Sequence, residues 1–283
     1  MLMKTGLVDI PASEYHSDKD IVGHSALVEM LRSPAHFMHR LNTPYEPTPA
    51  MQFGTAVHTA ILEPSRFHTL YAVQPKFDRR TKDGKALALA WEEANRGVLP
   101  IEQDDLNRIT RIRESINRHV DASALLQSSI TEQSYFWTDH ETGIQCRIRA
   151  DLLKLAADGC IEAIGDLKTT LDASRDGFVR AIDKFGYDLQ AAFYVDGIKH
   201  LTGREVPFYL MPAESNAPHG VALYRVGPKS IEVGRAKYRA ALQLLQWCRE
   251  HNSWPSYQPF GEAEEIEISD WSLRRAAAEF EDE

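Results

Sequence analysis

With 283 residues, 43% of them hydrophobic, the chain can bury a sizeable core and is long enough for one large domain or two small ones. No apolar run approaches the roughly 18 residues that cross a bilayer, and the opening MLMKTGLVDIPASEYH lacks a basic stretch followed by an apolar one, so a cytoplasmic protein is expected. A net charge of −9 speaks, taken alone, against a polyanionic partner; the argument is weak, because a metal-holding site needs carboxylates and residues 261–283 carry much of the negative excess.

No internal repeat or low-complexity linker divides the sequence. One domain over 1–283 is therefore expected, with a helical excursion at about 76–130 and an acidic tail at about 261–283. Residues 25–41, SALVEMLRSPAHFMHRL, set Leu27, Met30, Leu31, Phe37 and Met38 near helical spacing, with Ser25 as the N-cap and Pro34 breaking the run. Residues 51–63 read as a helix ending before Pro64, and 85–129 as two or three helices with Gly97 and Pro100 between them. Basic residues gather in FDRRTKDGK (77–85) and RITRIRESINR (108–118); the plain account of any one of them is a solvated face.

The pattern changes at Glu132. EQSYFWTD alternates, DHETG supplies a turn, and IQCRIRAD alternates again with Ile144, Cys146, Ile148 and Ala150 on one face. A second turn in AADG (156–159) leads to IEAIGDLKTT, which completes a three-stranded antiparallel meander. Helices over about 173–184 and 187–201, strands VPFYLMPA and VALYRV, and a helix over about 229–250 follow. The fold class is α/β, a central mixed sheet flanked by helices. Cys146, Cys160 and Cys248 are odd in number and widely spaced, fitting neither a disulfide framework nor a zinc site, so reduced structural thiols are expected.

Asp151 shares parity with Gln145, Arg147 and Arg149 and points away from the apolar face of its strand, while Asp166 and Lys168, two apart, share a face of the next. A carboxylate on each of two neighbouring strands, with a lysine beyond the second, suits a hard cation such as Mg²⁺ completed by substrate phosphate oxygens. The lysine would orient or deprotonate water and offset phosphate charge. The bland alternative is a surface pair on an edge strand, since a bare D-x-K match arises often by chance. His58, in GTAVHTA, is by itself more often a packed residue than a ligand. Gln190 and Tyr194 lie four apart on one helical face, where an amide and a phenol could reach phosphates or the lysine; Tyr194 could equally be core beside Phe193.

The ordered set GxxxH (Gly54 to His58), Glu132, RxD (Arg149 to Asp151), GDLKT (Gly165 to Thr169) and QxxxY (Gln190 to Tyr194), opened by SALVEMLRSPAHF, resembles the RecB-type branch of the PD-(D/E)xK nucleases over about residues 13–260. GTAVHTAILEP and GDLKTT look most like the RecE-like exonucleases. The resemblance implies Asp151, Asp166 and the main-chain carbonyl of Leu167 as metal ligands, His58 as a further ligand or its close neighbour, and Lys168 as the catalytic lysine. Glu132, Gln190 and Tyr194 would complete the catalytic set. It implies Mg²⁺, with Mn²⁺ as substitute, and degradation of linear double-stranded DNA from its ends, 5′ to 3′, for a RecT-like single-strand annealing partner. A homo-oligomeric ring is expected, a tetramer before a trimer, with the basic stretches lining its channel. Some relatives flank the core with a four-cysteine iron–sulfur cluster, which three scattered cysteines cannot build. The rivals are an endonuclease on the same core and a non-catalytic DNA-end-binding subunit.

Overall fold

The computed structural model describes residues 6–44, 46–258 and 261–281. Helices α1 (Ala12–Tyr15), α2 (His24–Arg32), α3 (Pro34–Asn42), α4 (Pro49–Leu62) and α5 (Pro64–Leu70) lead to strand β1 (Tyr71–Val73). Then come α6 (Lys82–Ala94), β2 (Leu99–Ile101), α7 (Gln103–Arg118) and α8 (Val120–Gln127). The meander is β3 (Ser129–Thr138), β4 (Gln145–Leu155) and β5 (Ile161–Thr170). It is followed by α9 (Arg175–Phe185), α10 (Tyr187–Thr202), β6 (Phe208–Glu214), β7 (Tyr224–Arg225), α11 (Pro228–His251) and α12 (Asp270–Glu281).

The main sheet runs β3-β4-β5-β6-β7, antiparallel at every junction except β5–β6, which is parallel. It is the mixed sheet expected from the alternating runs. Each of its faces carries a core. On one, Ile144, Cys146, Ile148 and Ala150 pack with α10 and α11 residues such as Phe193 and Leu242. On the other, Leu167 and Met211 meet Val57, Ile61, Ile109 and Ile112 from α4 and α7. Residues 6–22 cross the outer part of the sheet, bridging β3 at Val8–Ser134 and β4 at Val22–Cys146. Arg147 fastens this strap, its Nη1 donating to the carbonyls of Tyr15 and Asp18 at 2.5 and 2.8 Å.

Several local expectations are corrected. Gly23, not Ser25, is the N-cap of α2; Ser25 lies inside the first turn with its hydroxyl 3.2 Å from His24 Nε2. Pro34 does split the run: Ser33 accepts from the His36 N–H and Pro34 opens α3. α4 begins at Pro49 behind a Thr48 cap, earlier than hydrophobic spacing suggested. Gly97 and Pro100 do lie between helices, α6 and α7, but the connection also holds a short strand, β2, which pairs in parallel with β1; in a two-stranded sheet both strands are edges, where proline's missing N–H need not be in the ladder. β3 starts at Ser129, and β7 is only two residues long. The acidic tail contains a helix, α12. All three cysteines are free, and Cys146 and Cys248 are buried as expected, but Cys160 is exposed and holds no core. Among the described residues no helix is long and apolar enough to cross a membrane.

Candidate active site

The site lies where β4 and β5 part. Their pairing ends at Leu152–Gly165, one residue short of Asp151 and Asp166, while β5 continues against β6 to Thr170. The Leu167 N–H donates to Asp151 Oδ2 at 2.9 Å. Opposite Asp151 in the β3–β4 register stands Glu132, whose φ of +54° is a left-handed conformation that costs a residue with a Cβ about 1–3 kcal/mol. Alternation slips at the same level. Ile148 and Ala150 face the first core cluster, but Leu152 joins the second and Leu153 the first. Asp151 and Glu132 therefore sit where both strands change face, which strict period-two reading cannot anticipate.

α4 brings His58 to this point. A Cβ on Gly54, one turn earlier, would lie 3.0 Å from Thr169 Oγ1, so the glycine lets α4 press against β5. His58 Nδ1 is 3.4 Å from Asp151 Oδ2. Burial, assisted by Lys168, lowers the imidazole pKa to about 4 against the opposing pull of Asp166 and the Leu167 main chain. The ring is thus neutral at pH 7, with a lone pair available to a cation. His58, Glu132 and Asp151 each offer a ligand atom within 4.8 Å of the others. Glu132 Oε2 also accepts from Arg149 Nε, and Arg149 Nη1 donates to the Ile10 carbonyl at 2.6 Å, tying the site to the strap.

Asp166 stands outside that triad, 2% exposed. Its Oδ1 accepts from Gln190 Nε2 at 2.6 Å, so the amide orients this carboxylate. Its Oδ2 lies 2.5 Å from Lys168 Nζ, a close ion pair. Burial would lower the Lys168 pKa, but Asp166 and Asp151 outweigh it and hold the ammonium above its ordinary range. Burial, then Asp166 and Glu132, push the Asp151 carboxyl well above the usual range, against Lys168 and the Leu167 N–H. Glu132 is raised as well, by burial first, against the pull of Arg149. The two carboxyls share burial as the main cause, and at Asp151 the neighbouring carboxylates of Asp166 and Glu132 add to it.

A divalent cation would relieve that crowding, and the donor set fits one: carboxylate oxygens with an imidazole, beside a partnerless buried Gln190 Oε1. Tyr194 takes the packed role, 4% exposed, edge-on to Phe208 at 6.0 Å. Two neighbours escaped the sequence reading. Tyr187 places its ring 4.8 Å from Lys168 Nζ, and His24, edge-on to Tyr194 at 5.7 Å, has its pKa lowered to about 3 by burial and then by Lys168. Neither lies in a spacing that signals chemistry; only folding brings them to the lysine.

A family model described as a PDDEXK-like domain of unknown function (DUF3799) matches residues 23–269. Among solved structures, one from Eubacterium rectale described as a "putative exonuclease" has the same fold, with a TM-score of 0.59 and 16% identity over 94% of this chain and 98% of that one. No curated protein matches the chain.

Proposed function

We propose, from the premise that the chain belongs to this PDDEXK-like family and hence to the PD-(D/E)xK nuclease superfamily, that it hydrolyses linear double-stranded DNA from its ends. Digestion would run 5′ to 3′ and leave a 3′ single strand for a RecT-like annealing partner. The observation that carries the hydrolytic reading is the Asp166–Lys168 ion pair set beside the His58, Glu132 and Asp151 triad at the parting of two strands. Polarity and partner rest on the motif resemblance.

Mg²⁺, or Mn²⁺ in its place, would be held by Asp151, Asp166 and the Leu167 carbonyl, with His58 and Glu132 completing a second position. Once bound, the ion supplies Lewis-acid stabilisation of phosphate charge and a more acidic water. The protein's own groups do the rest. Lys168, kept protonated by its carboxylates, presents a cation to the phosphate. Gln190 fixes the rotamer of Asp166, and Arg149 that of Glu132. A closed ring, tetrameric before trimeric, would keep an acidic chain on a polyanion by enclosure; light scattering that found only monomer would remove it.

The test is linear duplex labelled at either the 5′ or the 3′ end, with closed circular DNA alongside, incubated with and without Mg²⁺. Early release of the 5′ label from linear DNA alone supports the reading. Cutting of closed circles would make the protein an endonuclease, and a folded protein inert in both Mg²⁺ and Mn²⁺ would make it a DNA-end-binding subunit.

A further inference from the structure

We infer that the cleft beside Lys168 is a track for an unpaired nucleic-acid strand and not for a duplex; this rests on the nuclease reading above and names what enters its site. The cleft has a volume of about 710 Å³. Tyr187 joins it to the catalytic lysine, lining the cleft while its ring lies 4.8 Å from Lys168 Nζ. Thr169 and Thr170, the continuation of β5 past the lysine, also line it. A strand cut at the lysine therefore has an open path along these threonines.

Its walls interleave cations with large apolar side chains. On α9, Arg180 and Lys184 stand one turn apart and both line the cleft. Arg180 is 75% exposed and its carboxylate partner, Asp172, is 4.0 Å away, a contact worth little in water. From α7, Arg108 lies over the Phe53 ring, 4.0 Å from its centre, and spends two of its donors on the Ser215 carbonyl and Asp105. Phe185, beneath the Lys184 ammonium at 5.2 Å, is 50% exposed, and Leu171 at the same cleft is 78% exposed.

Cations alone would suit any polyanion. Exposed aromatic and aliphatic surface between them adds nothing for a duplex, whose base faces are stacked inside. An unpaired strand offers both phosphates for Arg180 and Lys184 and base faces for Phe185, the combination found where single strands bind without sequence preference. Asp105 is held by Arg108 at 2.8 Å, and Asp172, only loosely offset by Arg180 at 4.0 Å, is outnumbered at the cleft by Arg180 and Lys184.

The test is binding of fluorescent oligothymidylate and of a blunt hairpin duplex, by anisotropy in EDTA so that no cleavage intervenes. Phe185→Ala should weaken oligothymidylate binding between about fivefold and 100-fold and duplex binding by less than about twofold, with Phe185→Tyr restoring the loss because a ring is again present. The double variant Arg180→Ala, Lys184→Ala should flatten the salt dependence of single-strand binding by about 1.4 in log–log slope, two phosphate contacts' worth. Equal losses on both ligands, or none, in variants with an unchanged circular dichroism spectrum would overturn the track. A chain that passes this test yet never cleaves DNA would refute the nuclease reading and leave the track standing.

Discussion

Replacing Gln190 by leucine separates positioning from folding. The side chain is 2% exposed, and its Nε2 donates to Asp166 Oδ1 at 2.6 Å while its Oε1 has no partner. Leucine removes a hydrogen bond to a carboxylate and leaves Asp166 Oδ1 buried without a partner, a loss of about 1.5–3 kcal/mol or more, while removing a buried unsatisfied carbonyl returns about 1–3 kcal/mol. The second term offsets part of the first in a side chain of similar volume, so the urea midpoint should fall by an equivalent of about 1–3 kcal/mol, leaving the protein folded in the assay. Asp166, however, is left with Lys168 on Oδ2 and nothing on Oδ1, free to rotate away from the position the amide held. Loss of a partner that orients a ligand typically lowers activity by about 10- to 100-fold. The assay is the initial rate of Mg²⁺-dependent release of acid-soluble nucleotide from linear duplex, with Mg²⁺ titrated to saturation and stability measured on the same preparation. A wild-type rate in Gln190→Leu would refute the assignment; so would a rate loss that only tracked unfolding.

Three further outcomes follow from the structure. Asp151→Asn should abolish cleavage yet stabilise the metal-free protein above the ordinary carboxyl range: a carboxyl raised by burial and neighbouring carboxylates contributes stability below that range and loses it as pH climbs through its raised pKa, so the melting-temperature gap between variant and wild type in EDTA should widen as pH rises from the ordinary carboxyl range. A constant gap would show that Asp151 is not electrostatically strained. Ca²⁺ should bind, read by calorimetry, but not support turnover, because it accepts longer and more numerous bonds than Mg²⁺; rapid cleavage in Ca²⁺ alone would count against a Mg²⁺-tuned site. Gly234→Ala should destabilise by roughly 1–3 kcal/mol or more, since a Cβ there would stand 2.0 Å from the Asp188 carbonyl oxygen where α11 crosses α10; an unshifted urea midpoint would deny that close approach.

What the sequence determined by itself was what depends on near neighbours. Ile144, Cys146, Ile148 and Ala150 recur every second residue, so their common face could be read directly, and all four lie at 4% exposure or less. Turn residues between the alternating runs gave the meander, and the i to i+2 spacing of Asp166 and Lys168 put them together on one strand. What only the tertiary structure decided involves residues far apart in sequence. Gln190 and Asp166 are 24 positions apart, and no local rule could tell that the amide would meet this carboxylate. Glu132 looked like the start of a strand; its left-handed backbone and its bond to Arg149 exist because β3 and β4 change face together where β4 leaves β5. Pro100 could be placed between helices, but not in a strand, because pairing with Tyr71–Val73 leaves no trace in the residues around it. Periodicity records which way a side chain points relative to its neighbours; which carboxylate, lysine or ring it then meets is set by the packing of distant elements, and the charge crowding around Asp151 exists only once that packing is complete.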